Sequence, residues 1–136
     1  MNADFIVYSK TGKLTALVGV SGYRETDAAW AEEMVPGYLR TFDPPYLVVV
    51  ARDQIWFWQD PARNPKPVGS IPTAVHLAKY ARPLRKDIAN IYIGTLESIV
   101  LSWMFDVTGD ASTLPEFVHA IGFPDAVHWG DVQIAA

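Results

Sequence analysis

The chain predicts a single α/β domain over residues 1–136: a mixed sheet of four or five strands, with helices on both faces. Three observations carry this prediction. A hairpin is legible from Asp4 to Ser21 (DFIVYSKTGKLTALVGVS). The run Tyr46-Leu47-Val48-Val49-Val50-Ala51 is apolar throughout and so needs cover on both of its faces. Helical periodicities fall between and after these strands. Half of the residues are hydrophobic, which excludes a disordered chain, and the length suffices for one core.

In the hairpin, runs rich in β-branched and aromatic residues flank Lys10-Thr11-Gly12-Lys13, and Gly12 supplies the positive φ that a two-residue turn requires. With Thr11-Gly12 as the turn, Lys10 faces Lys13, Ser9 faces Leu14 and Asp4 faces Gly19. Opposed residues share a face and the side-chain period is two, so Asp4, Gly19 and Ser21 gather at the open end of the hairpin, which lies at the centre of the sheet. Gly22 closes the second strand and Thr26 or Asp27 caps a helix, where Trp30, Met34 and Tyr38 recur every four residues as a buried stripe. Pro36-Gly37 predicts a kink or break in that helix.

Asp43-Pro44-Pro45 leads into the buried strand, a turn at Arg52-Asp53 or Asp53-Gln54 follows, and Ile55-Trp56-Phe57-Trp58 returns. Trp56 and Trp58 point to one face and Phe57 to the other; core packing accounts for them more simply than a base-stacking platform. Residues 60–72, with four prolines, read as a loop. A helix spans 73–82 with Leu77, Ala78 and Ala81 inward, and Pro83 ends it. The clearest helix follows Ile91-Tyr92-Ile93, capped by Thr95, with Leu96, Ile99, Val100, Trp103 and Met104 on its apolar face. Thr113-Leu114-Pro115-Glu116 has the spacing of a capping box, opening a short helix with Phe117, Val118 and Ile121 inward and Gly122 at its end. Val132-Gln133-Ile134 forms a closing strand.

Asp4-Phe5-Ile6-Val7-Tyr8, followed by Leu14-Thr15-Ala16-Leu17-Val18-Gly19-Val20-Ser21-Gly22, resembles the PD-(D/E)XK nuclease-like superfamily, and more narrowly its small stand-alone bacterial members of unassigned function. In that pattern one strand opens with Pro-Asp and the next ends Glu-Val-Lys. Here Asp4 matches, while Ala3 stands for the proline, Gly19 for the glutamate and Ser21 for the lysine. The resemblance continues through Trp30-Ala31, Pro45 to Val50, Asp53 to Trp58, and Glu97-Ser98 to Trp103. It implies a restriction-endonuclease-like fold, with a helix and strand ahead of the aspartate. It also implies a Mg²⁺ or Mn²⁺ site built on the two acids, with the lysine beside it.

Gly19 brings no ligand and Ser21 no positive charge, so the resemblance implies a vestigial site and a nuclease fold acting as a binding or structural module without a cofactor. One alternative is an active metal-dependent nuclease. Its second acid would have migrated to the following helix, with Glu33, Glu32 or Glu25 reaching a metal on Asp4 and Arg24 standing in for the lysine. Another is a dimeric protein-interaction subunit. On this reading, Gly19→Glu with Ser21→Lys raises the affinity for divalent metal.

Charge and composition narrow the partners. A net charge of −4 and a pI near 5.2 weigh against strong nucleic-acid binding. Six of the eleven basic residues nevertheless fall between Arg63 and Lys86, and Lys79, Arg82, Arg85 and Lys86 make the candidate phosphate-contacting surface; an ordinary solvated helix face is the plainer account. There are no cysteines, which excludes disulfides. No apolar run approaches the ~20 residues of a membrane span and no leader opens the chain, so a cytoplasmic location without membrane contact is expected. Gly19-Val20-Ser21-Gly22 lacks the glycine spacing of a hydrolase nucleophile elbow, and His76, His119 and His128 have no metal-ligand spacing.

Overall fold

Alternation along the strands sorts the side chains into two layers. On one face of the sheet, Ala16, Val18, Val48, Val50, Ile55 and Phe57 meet Leu77, Leu96, Val100, Trp103 and Phe123. On the other, Leu17, Leu47, Val49, Trp56 and Trp58 meet Ala31, Val35 and Tyr38. The computed structural model describes residues 2–135 and orders the elements as β1 (Phe5–Tyr8), β2 (Leu14–Val20), α1 (Ala28–Tyr38), β3 (Tyr46–Val50), β4 (Gln54–Gln59), β5 (Gly69–Pro72), α2 (Thr73–Ala81), α3 (Ile93–Gly109), α4 (Glu116–Ala120), α5 (Phe123–Val127) and β6 (Asp131–Ile134). Helix α1 therefore covers one face alone, while α2, α3 and α5 cover the other.

The six strands lie in the order β5-β4-β3-β2-β1-β6. Only β2 and β3 run parallel, joined by the crossover helix α1; every other neighbour is antiparallel. The hairpin thus reaches from the middle of the sheet at β2 to the strand beside one edge at β1. As the alternation requires, Trp56 and Trp58 point to one face and Phe57 to the other, and β3 is buried on both.

Six strands replace the expected four or five, because residues 60–72 are not all loop. Gly69–Pro72 pairs with β4 as an edge strand, where a proline at the last position interrupts little of the ladder. The hairpin turn also differs. Gly12 N–H donates to Ser9 O (2.8 Å), Ser9 N–H donates to Lys13 O (2.7 Å), and Gly12 has φ +86°, so three residues rather than two make the turn. Ser9 then faces Lys13 and Tyr8 faces Leu14, in place of the expected partners. A bulge beside Val7/Tyr8 takes up the slipped residue, and Phe5 opposite Val18 restores the register expected for the open end.

Helix α1 is continuous through Pro36. That residue sits on the exposed side, where water can serve the carbonyl its missing N–H leaves free. Asp27 is the cap, its Oδ1 accepting from Trp30 N–H (2.8 Å), and the buried stripe is Ala31, Val35 and Tyr38, with Trp30 and Met34 only flanking it. Helix α3 begins at Ile93 with Tyr92 as its cap residue, so Thr95 lies inside the first turn. The Thr113–Glu116 box does not form: Pro115 occupies the cap position of the five-residue α4, without a side-chain cap bond. Gly122, at φ +80°, ends α4 in the left-handed region and leads into α5, an element with no periodicity long enough to read. Among the described residues, no helix is long and apolar enough to cross a membrane.

Trp58 is fully buried and its Nε1–H donates to Pro65 O (2.8 Å), tying the long loop to the sheet. Trp58→Ala is expected to cost about 3–5 kcal/mol in urea denaturation, against a change within about 0.5 kcal/mol for Val75→Ala on the exposed side of α2.

Candidate functional site

The open end of the hairpin is built from β1, β2 and α1. Asp4 precedes β1, and one carboxylate oxygen, Oδ2, accepts from Val20 N–H at 2.7 Å. Its backbone binds on both sides: its N–H donates to Val18 O and its carbonyl accepts from Ala135 N–H, each at 2.9 Å. The acid therefore acts first as a bracket that closes β2 against β1, serving a backbone N–H at the strand's end.

Gly19 is the centre of the site. A Cβ built on it would lie 2.4–2.5 Å from Cε1, Cζ and Oη of Tyr38, far inside van der Waals contact. The ring of Tyr38, carried by the last residue of α1, occupies the space where any side chain at position 19 would go. Gly19 is thus required for close approach of helix and strand, without the positive φ that usually calls for glycine. The Tyr38 hydroxyl is buried and makes no hydrogen bond among the described residues. Burial pushes its pKa well up, and the charge of Asp4 adds to the effect.

Ser21, one residue past β2, is buried, and its hydroxyl accepts from Tyr23 N–H (3.3 Å), while its own N–H donates to Val50 O (2.8 Å). Of the acids on the segment after β2, Glu33 and Glu25 are exposed. The carboxylate whose charge acts on Asp4 is Glu97 of α3, and the two residues line one shallow cleft with Ser98, Leu101 and Ile134. Arg24 is engaged elsewhere, its Nη1 donating to Asn90 Oδ1 (3.2 Å).

The basic surface divides. Arg82, Arg85 and Lys86 line a shallow cleft floored by Ala74, Ala78 and Ala81. Lys79 faces away from it, paired with Asp106 at 3.3 Å, where Tyr80 also donates to the same carboxylate. Neither contact was readable from the one-dimensional pattern, because both join α2 to α3.

Two further side chains went unrecognised in the sequence. Arg52 clamps the loops beside the site: its Nη1 donates to Ile91 O (2.6 Å) and its Nε to Gly22 O (3.1 Å). Asp53 accepts from Thr26 N–H (2.7 Å) and Thr26 Oγ1 (2.8 Å), and Thr26 Oγ1 accepts from Trp56 Nε1–H (2.9 Å). A charged pair at a strand turn gave the only signal, and that signal is common to most turns.

The donors present do not fit a divalent cation in the arrangement the resemblance implies. Asp4 commits an oxygen to Val20, position 19 is filled by the Tyr38 ring, and the Ser21 hydroxyl is turned to Tyr23. A side chain at position 19 requires the Tyr38 ring to shift, a movement that the expected effect of Gly19→Glu with Ser21→Lys does not include.

Gly19→Ala is expected to cost about 1–3 kcal/mol in urea denaturation. In a Tyr38→Ala background the same change should cost nothing, a coupling that a double-mutant cycle reads directly. Burial, with Glu97 adding to it, raises the Asp4 carboxyl above its ordinary 3.8 despite the Val20 hydrogen bond. The folded protein then holds this proton more tightly than the unfolded chain, so ionisation of Asp4 withdraws stability as pH climbs above 3.8. Asp4→Asn, whose Oδ1 can still accept from Val20, should therefore gain stability relative to wild type between acid pH and neutrality. No protein-family model, no curated protein and no solved structure matches the chain.

Proposed function

We propose that the chain is a nuclease-like domain without catalysis, a restriction-endonuclease-like scaffold that works as a binding or structural module. The observation that carries this reading is the Tyr38 ring seated on Gly19, where the resemblance calls for a metal-binding glutamate. The phenol end of Tyr38 takes the room that a metal-binding side chain at position 19 would need.

The topology supports the scaffold part of the reading. An antiparallel hairpin opening on an aspartate, a crossover helix and a parallel third strand follow in the expected order. On this reading the helix and strand that the resemblance places ahead of the aspartate are supplied from later in the chain, where β6 pairs antiparallel with β1 and α3 shares the core layer of Phe5 and Val7. The binding partner that fits the surface chemistry is a phosphate-bearing one, held weakly by Arg82, Arg85 and Lys86 on a protein of net charge −4.

Isothermal calorimetry with Mn²⁺ tests the loss of catalysis. Wild type is expected to give no binding isotherm, and the triple substitution Gly19→Glu, Ser21→Lys, Tyr38→Ala is expected to bind where Gly19→Glu, Ser21→Lys does not. Wild-type binding that Glu97→Gln abolishes would replace this reading with a metal site shared between Asp4 and α3. For the nucleic-acid part, Arg82→Ala with Arg85→Ala should lower the slope of log affinity for single-stranded DNA against log salt by about 1–2. An unchanged slope would remove DNA from the partners.

A further inference from the structure

We propose that the chain forms a two-fold homodimer through β6, whose open edge pairs antiparallel with the β6 of a second copy to make one continuous sheet.

The two edges of the sheet are unlike. The β5 edge ends in Pro72, a residue that discourages strand addition. The β6 edge, Asp131-Val132-Gln133-Ile134, contains no proline, lysine or arginine, and its pairing with β1 is regular over all four residues, without a bulge. Because Ala135 N–H donates to Asp4 O, alternation turns the main-chain groups of 131 and 133 toward β1 and those of Val132 and Ile134 outward. Two outward-facing residues separated by one are self-complementary about a two-fold axis. Val132 of one copy exchanges both hydrogen bonds with Ile134 of the other, and Gln133 meets Gln133 on the axis as a non-hydrogen-bonded pair. Asp131 then stands opposite Ala135, so no like charges are opposed.

Side chains on the α3 face extend the same surface. Helix α3 runs antiparallel to β6: Leu101 and Ile134 share a cleft near one end, and Trp129 N–H donates to Thr108 O at the other. Phe105, four residues from both Leu101 and Gly109, lies on the helical line between them. Ile134, Trp129 and Phe105 are 73%, 67% and 53% exposed, an apolar band along an open edge.

Its area suits a second copy. An aromatic side chain carries about 150–250 Å², so Trp129 and Phe105 leave roughly 200–300 Å² at the surface. Ile134 adds roughly 100 Å². A specific interface needs about 500 Å² or more per partner, of which about 65% is apolar in homodimers. The band supplies that apolar share, and the paired edge with Asp131 and Gln133 supplies the polar share.

A cysteine placed on the axis tests the register, because the chain has no cysteine of its own. In a non-hydrogen-bonded pair the Cα atoms are about 4.5 Å apart, within the about 4.4–6.8 Å a disulfide spans. Gln133→Cys is expected to give a covalent dimer under mild oxidation, well ahead of the control Val75→Cys on exposed α2. In sedimentation at roughly 100 μM, the wild type is expected at twice the 15.1 kDa of one chain. Ile134→Lys and Phe105→Glu, both at exposed positions, should weaken association at least about tenfold with an unchanged circular dichroism spectrum. A wild type that stays at 15.1 kDa at that concentration overturns the proposal and leaves the edge to a strand of another protein. Equal cross-linking rates at 133 and 75 overturn it as well.

Discussion

The close approach of α1 to β2 rests on one contact, the ring of Tyr38 lying directly over the bare backbone of Gly19. A hydrogen in place of a side chain lets the end of the helix drop onto the strand. The rest of that layer is arranged around this approach: Ala31 and Val35 continue the line of contact, and Leu17, Leu47, Val49, Trp56 and Trp58 form its floor. Among the described residues the buried Tyr38 hydroxyl has no hydrogen-bond partner, a cost set against the apolar burial around it. The contact also decides the chemistry, because the room a ligand-bearing side chain would need is taken up by packing.

Around this contact, polar groups fix the loops at the end of the sheet where β2 and β3 finish together. Asp4 brackets the end of β2, Arg52 gathers the carbonyls of Gly22 and Ile91, and Asp53 holds Thr26, which in turn receives Trp56. In a parallel pair joined by a crossover, the loops at the carboxyl ends of the strands are where ligands usually meet the chain. Here those loops are tied to one another by charged side chains turned inward. Arg82, Arg85 and Lys86 lie away from these loops, beyond the end of α2, and the exposed Phe105, Trp129 and Ile134 lie toward the β6 edge.

Local patterns were readable wherever one residue type had one cause. The apolar run of β3, the alternation of Trp56, Phe57 and Trp58, the register at Phe5 and the face of α3 all follow from period and burial, and each has its place in the structure. Failures came where two local rules competed. Gly12 signals a turn without stating its length, and the bulge near Val7 then cancelled the difference. Thr95 and Thr113 are good caps by type, yet Tyr92 and Pro115 hold those places because neighbouring packing chose where each helix starts. Strand β5 was hidden by the prolines of the segment before it and by its own Pro72, which an edge tolerates and a centre does not.

Composition, periodicity and spacing were enough for the α/β class, for the order of the main strands and helices, and for the lack of a side-chain ligand at position 19, since a glycine cannot be anything but bare. What fills the space beside it depends on how α1 packs against β2. A helical stripe names the residues that turn inward but not the strand atom each one meets, and that depends on how far the helix slides along the sheet. The same limit hid Glu97 as the neighbour of Asp4 and left the open edge at β6 invisible, because strand order is a property of the assembled sheet and of no single segment.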